Sequence, residues 1–219
     1  MSITLIPLNP AWKAQAGPPV SPCAPQEYSM QPVLDVAVFS VSGTTVPEKY
    51  PGAEWYQAFP IPLGATAVCH SWDMELSSSA AEYSQAEECD CIFTGPMVSP
   101  GKAYRANRSF EFAGTALQIA DVNGKWVTFA TMPSKLSTGV THRIQVFHAF
   151  NFTKTISSTV AVAVDGTLYP VPLNLQNIPM TLDDWTDYNE VMIQKQSDLT
   201  SAGGAYSVTV GKMEMIWNV

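Results

Sequence analysis

A chain of 219 residues, 46% of them hydrophobic, can bury one substantial core. Charged residues make up only 14%, and 11 Lys plus Arg against 19 Asp plus Glu leave a net charge of −8. With no basic run to attract a phosphate backbone, no nucleic-acid partner is expected. No apolar stretch approaches the roughly 20 residues that span a bilayer, so no membrane partner is expected either.

The first apolar run ends at Pro7 and has no basic flank. It does not resemble a secretory leader, so the expected location is cytoplasmic, or secreted if a leader was removed. Eleven of the 17 prolines fall in the first 62 residues. Proline lacks a backbone donor and restricts its predecessor, so residues 1–32 are expected to form an extended Pro-rich arm. Residues 33–219 are expected to form a single β-sandwich domain.

From Val33 onward the apolar period is two. "VLDVAVFSV" is a predicted strand rich in β-branched residues. "VCHSWDMEL" and, after a Ser/Ala-rich turn, "QAEECDCIF" are the next two strands and are expected to pair as an antiparallel hairpin. "RSFEFAG", "ALQIADV", "KWVTFAT", "THRIQVFHAF", "STVAVAVDG", "TLYPVPL", "NEVMIQKQS" and "YSVTVGKMEMIW" continue the series, and only "TLDDWTDY" hints at a helical turn. Asn123-Gly124, Asp165-Gly166 and Gly203-Gly204 punctuate the strands as turns. Many short strands with almost no helix indicate an all-β, two-sheet antiparallel sandwich.

Alternation assigns faces. If Trp72, Met74 and Leu76 are buried, Asp73 and Glu75 face the other way. If Cys89, Cys91 and Phe93 are buried, Glu88 and Asp90 face the other way. Ile144, Val146 and His148 oppose Arg143, Gln145 and Phe147, while Val191 and Ile193 oppose Glu190, Met192, Gln194 and Gln196. Cys89 and Cys91, two residues apart on one face, lack the pair spacing of zinc ligands and are taken as small core residues. No metal and no cofactor are expected.

The succession "QAEECDCIFTG", "ALQIADVNGKWVTF", "GVTHRIQVFHAF", "VAVAVDGTLYPV" and "VMIQKQSDLTSAGGAYSVTVGKMEMIW" resembles the strand order of the concanavalin A-like lectin and glucanase jelly roll. That resemblance implies two curved sheets, the concave one forming a groove for a ligand. The groove floor would then carry Asp73, Arg143, Gln145, Gln194, Gln196 and an aromatic such as Trp126 as ligand-binding residues, with Glu88, Asp90 and Glu75 as candidate catalytic carboxylates. The laminarinase-type glucanases of this superfamily place a further glutamate on the strand, where this chain has Ile92 or Phe93. Glu75, across the expected hairpin, is the candidate replacement, since cross-strand pairs lie about 5 Å apart.

The expected function is binding or processing of a carbohydrate in that groove. Two alternatives stand beside it: an intracellular cyclase or isomerase of a polyketide or terpenoid metabolite, and a non-catalytic interaction module. The expected partner is a small molecule or carbohydrate, and assembly into a homo-oligomer is compatible with the sequence.

Overall fold

The computed structural model describes residues 2–5, 13–16, 27–33, 36–43, 52–184, 187–200 and 204–218. The chain runs through β1 (Ser2–Leu5), β2 (Lys13–Ala16), β3 (Glu27–Val33), β4 (Val36–Gly43), β5 (Gly52–Pro60) and β6 (Ala67–Leu76). After α1 (Ala80–Tyr83) come β7 (Ser84–Ser99), β8 (Lys102–Ala113), β9 (Ala116–Ala120), β10 (Trp126–Thr131), β11 (Thr141–Asn151), β12 (Ile156–Val164) and β13 (Thr167–Pro170). The last part holds α2 (Leu173–Gln176), β14 (Asn177–Pro179), β15 (Thr181–Asp184), β16 (Glu190–Leu199) and β17 (Gly204–Trp217).

These strands form two antiparallel sheets. The first follows the order β13-β12-β11-β6-β17-β4-β3, with β1 also on β17 and β14 also on β12. The second follows β10-β9-β8-β7-β16-β5-β2, with β15 also on β8. The expected two-sheet antiparallel sandwich is therefore the fold. Within the expected arm, the described segments are strands β1 and β2 and most of β3. Trp12 and Cys23 lie outside the described residues.

Two local expectations are corrected. Thr181–Asp184 is an edge strand on β8, not a helical turn: Lys102 pairs with Asp184 at 2.9 Å and Arg105 with Asp183 at 3.5 Å across it. Strands β6 and β7 do not form a hairpin. β6 lies between β11 and β17 in the first sheet, and β7 between β8 and β16 in the second. The Ser/Ala-rich link containing α1 is a crossover between sheets, so both edges of β6 are already hydrogen-bonded. By contrast, the Asp165-Gly166 turn is as the dipeptide predicts. Both residues have positive φ, and Val164 pairs directly with Thr167, the two-residue arrangement that suits strand twist.

The alternating side chains meet between the sheets. Phe39 stacks on Trp55 with centroids 4.8 Å apart, Phe93 on Phe150 at 4.9 Å, and Phe150 meets Trp217 edge-on at 6.4 Å. Trp72, Met74, Leu76, Ile144, Val146, Val191 and Ile193 are all buried, as their alternation predicts.

The core also holds polar groups. Arg108 and Lys195 point inward, and so does Glu87, whose carboxyl oxygens accept from Ser197 Oγ at 2.7 Å and Ser84 Oγ at 2.9 Å. Burial pushes the Glu87 carboxyl up from 4.5 to about 8, against the lowering effect of these hydroxyls. Between those two values the native state keeps a proton that the unfolded chain has lost, so stability falls as pH rises through the window. Glu87→Gln cannot ionise. Thermal unfolding should show its stability relative to wild type rising by about 2–4 kcal/mol from pH 5 to pH 8. A difference that stays constant with pH would contradict this assignment.

Candidate functional site

Strand β7 lies inside the second sheet and divides its side chains between two environments. Glu87, Cys89, Cys91 and Phe93 enter the core, while Glu88, Asp90 and Ile92 lie on the outer face. Because directly paired residues of antiparallel strands share a face, the register builds rows across this outer surface. One row runs Tyr56, Gln194, Asp90, Ser109. Its neighbour runs Gln196, Glu88, Glu111, Gln118. A third holds Ala58, Met192, Ile92 and Asn107.

Trp126 pairs with Ala120, next to Gln118 on the same face, and so extends the polar surface onto β10. From β5 to β10 there are five inter-strand steps of about 4.8 Å, a span of roughly 24 Å. Tyr56 and Trp126, both half-buried, stand at the two ends of that span.

The floor is hydrogen-bonded within itself, and Asp90, Ser109, Glu111 and Gln196 are buried in it. Gln194 Nε2 donates to Asp90 Oδ2 at 3.2 Å, while Asp90 Oδ1 is buried without a hydrogen-bond partner. Gln196 Nε2 donates to both carboxylate oxygens of Asp198, at 3.0 and 3.2 Å. Burial and the adjacent Asp90 charge hold the Glu88 carboxyl well above the usual carboxylate range. Burial also raises Asp90, although Ser109 and Glu88 beside it act the other way. Glu111, directly across from Glu88, is pushed up to about 7 by burial and then by Asp198. Near neutral pH this surface therefore carries less charge than its carboxyl count suggests, and Glu88 can donate a hydrogen bond.

The residues singled out from sequence divide between the two sheets. Glu88, Asp90, Gln194, Gln196 and Trp126 are brought together on the second sheet. Asp73, Glu75, Arg143 and Gln145 lie on the outer face of the first, with the whole core between the two groups. Glu75 therefore cannot stand across from Glu88; its Oε2 accepts instead from Thr141 Oγ1 at 3.1 Å.

Arg143 makes four side-chain hydrogen bonds. It donates to Asp73 Oδ1 at 3.1 Å, Ser71 Oγ at 2.7 Å, the Lys212 carbonyl at 2.9 Å and the Glu214 carboxylate. Lys212 has φ 42° at a bulge between β6 and β17, so the guanidinium ties down an irregular backbone. Gln145 Nε2 reaches Cys69 Sγ, at 3.9 Å. On β7, Ile92 holds the outward position after Glu88 and Asp90, and Phe93 turns inward. The second glutamate of the glucanase pattern is thus absent from the strand itself, while Glu111 supplies a carboxyl from β8.

Glu111, Ser109, Gln118 and Asp198 are polar members of this surface that the strand alternation alone does not single out. Their signal was present: in "RSFEFA", Ser109 and Glu111 alternate with the buried Phe110 and Phe112.

No protein-family model and no curated protein matches the chain. Solved structures do. The potassium-bound carbohydrate recognition domain of Emp46p is 8% identical with a TM-score of 0.49, over 95% of this chain and 89% of that one. The lectin UEA-II complexed with galactose is 10% identical with a TM-score of 0.48, over 98% and 96%. The carbohydrate recognition domain of Emp47p is 10% identical with a TM-score of 0.46, over 96% and 90%. At these identities and scores the likeness is one of overall architecture and gives no residue a role.

The Arg143 cluster is expected to act through stability. Arg143→Met leaves Asp73 with Lys212 alone, at 3.6 Å, and Glu214 with Ser71 Oγ alone, at 3.1 Å, and should lower unfolding stability by about 1–3 kcal/mol in a denaturant titration. An unchanged midpoint would show that the cluster does not hold the bulge.

Proposed function

We propose that the protein binds a neutral carbohydrate laid across the outer face of the second sheet. The observation that carries this reading is the alignment of Tyr56, Gln194, Asp90 and Ser109 in one cross-strand row beside Gln196, Glu88, Glu111 and Gln118, with Trp126 on the strand beyond. Planar amides and carboxyls set in rows match vicinal hydroxyl pairs, because each presents two polar atoms in a fixed geometry. The strand spacing is close to the length of one sugar ring. Half-buried aromatics at either end offer flat apolar surface to the C–H faces of a sugar. The raised carboxyl pKa values keep fixed charge low, and the net charge of −8 repels anionic glycans.

A second reading, hydrolysis, is favoured by one observation. Glu88 and Glu111 are directly paired, their Cβ atoms about 5 Å apart, which puts two carboxyls side by side as the chemistry of retaining glycoside hydrolases requires. The enclosed small-molecule chemistry of a cyclase has weaker support. The two cavities described, about 130 Å³ at the sheet edge near α1 and about 20 Å³ inside the core, fall below the roughly 300 Å³ of a typical ligand pocket.

A neutral-glycan array followed by isothermal titration is the test. Gln194→Ala and Trp126→Ala should each weaken binding by about tenfold, or ~1.4 kcal/mol, while Arg143→Met leaves it unchanged. No neutral glycan bound at millimolar concentration would overturn the proposal. Release of reducing ends by wild type, abolished in Glu111→Gln, would add the hydrolytic step.

A further inference from the structure

On the reverse side of β7, the core contains a set of groups that the carbohydrate surface does not use. Cys89 and Cys91 come from the second sheet and His70 from the first, and all three are buried. His70 Nδ1 lies 3.8 Å from Cys89 Sγ and 3.8 Å from Cys91 Sγ, and all three atoms fall within 4.8 Å of one another. The point equidistant from three atoms so spaced is about 2.2–2.5 Å from each, close to a metal–sulfur bond of about 2.3 Å and a few tenths of an ångström longer than a metal–imidazole bond of about 2.0–2.1 Å. The imidazole is held in place by stacking on Trp72, centroids 4.7 Å apart, and its other nitrogen, Nε2, is buried without a partner.

We propose that His70, Cys89 and Cys91 form a closed, three-donor site for one thiophilic metal ion, and that monovalent copper is the ion it fits. Two thiolates and an imidazole are soft and borderline donors, the set that selects copper(I) or zinc over calcium and magnesium. Two features separate the first pair. Structural zinc sites take four protein ligands in a tetrahedron, whereas no fourth Cys, His or carboxylate joins these three donors among the described residues.

Charge points the same way. Lys195 Nζ lies 3.0 Å from Cys89 Sγ and over the Trp72 ring. Arg108 is paired across the strands with Cys91; its Nε donates to Thr159 Oγ1 at 3.1 Å, and its other two nitrogens are without partners among the described residues. These two cations offset two thiolates. A monovalent ion then leaves one surplus positive charge in the core where a divalent ion leaves two, and each is costly in a low dielectric.

Burial does not oppose loading, because such an ion enters as the chain folds and its binding energy then contributes to folding. With ligands from both sheets, the ion would join the sandwich across its core.

The reduced full-length protein, under anaerobic conditions, is titrated with copper(I) held by a chromophoric competitor, and in parallel with zinc against a zinc chelator. The expected result is one copper(I) per chain, a thiolate-to-copper absorption band in the near ultraviolet and a higher melting temperature. Cys89→Ala/Cys91→Ala should abolish all three, whereas Cys23→Ala/Cys69→Ala should retain them. His70→Gln should weaken copper binding at least by the roughly 10- to 100-fold that outer-shell partners of metal ligands contribute. Circular dichroism of each variant separates loss of the site from loss of the fold. Copper binding that survives Cys89→Ala/Cys91→Ala in a folded protein, or no binding by wild type, would overturn the site. Zinc taken up at the same cysteines in preference to copper(I) would overturn the choice of a monovalent ion.

Discussion

Strand β7 is hydrogen-bonded along both edges, to β8 and to β16, and presses one face against the first sheet. That position leaves no freedom in where its side chains go. A slip of one residue would send Glu88 and Asp90 into the core and expel Cys89, Cys91 and Phe93. Phe93, stacked on Phe150 and edge-on to His148, opposes the slip, because the sheets meet there through a fully buried aromatic contact. The outer rows on β16, β8 and β5 inherit their alignment from that one register. So does the convergence of Cys89 and Cys91 on His70.

The core beneath β7 is unusually polar for a chain with 14% charged residues. Lys195, Arg108, His70, His148 and Glu87 all lie inside. Each pays a desolvation cost unless a partner or a change of protonation relieves it. Burial pushes the His70 and His148 imidazoles down, to about 4 and about 3, so both remain neutral at ordinary pH. Glu87 keeps its proton and is held by Ser197 and Ser84. Lys195 rests against Cys89 and Trp72. These arrangements lie in the middle of the sandwich, where a uniformly apolar core would pack with less cost. That contrast gives the cysteine and histidine cluster a weight that exposed residues of the same types would lack.

Period-two alternation is a local property and was readable. It correctly turned Trp72, Met74, Cys89, Cys91, Phe93, Ile144, Val146, Val191 and Ile193 inward, and Glu88, Asp90, Gln194 and Gln196 outward. It cannot say which strands are neighbours, because a strand of one sheet reads like a strand of the other. For that reason alternation alone sets Glu75 opposite Glu88, and Asp73, Arg143 and Gln145 on a floor that they do not share. The Ser/Ala-rich link after β6 looks like a hairpin turn in sequence, while the structure uses it to change sheets. Glu111 was visible between two phenylalanines but had no assigned neighbour until β8 was known to pair with β7. Lys195 lies at an inward position of "VMIQKQS", where the pattern alone gives no reason to expect a buried cation.

The central claim is that ligand chemistry belongs to the outer face of the second sheet, while the polar cluster on the first sheet is architectural. Chemical-shift mapping of the isotope-labelled protein, titrated with a neutral oligosaccharide, tests this most directly. The account predicts saturable shifts at Asp90, Ser109 and Gln194 and at the Trp126 indole, with the Arg143 guanidinium and its partners unmoved. Shifts confined to Asp73, Arg143 and Glu214, on the opposite face of the sandwich, would contradict it.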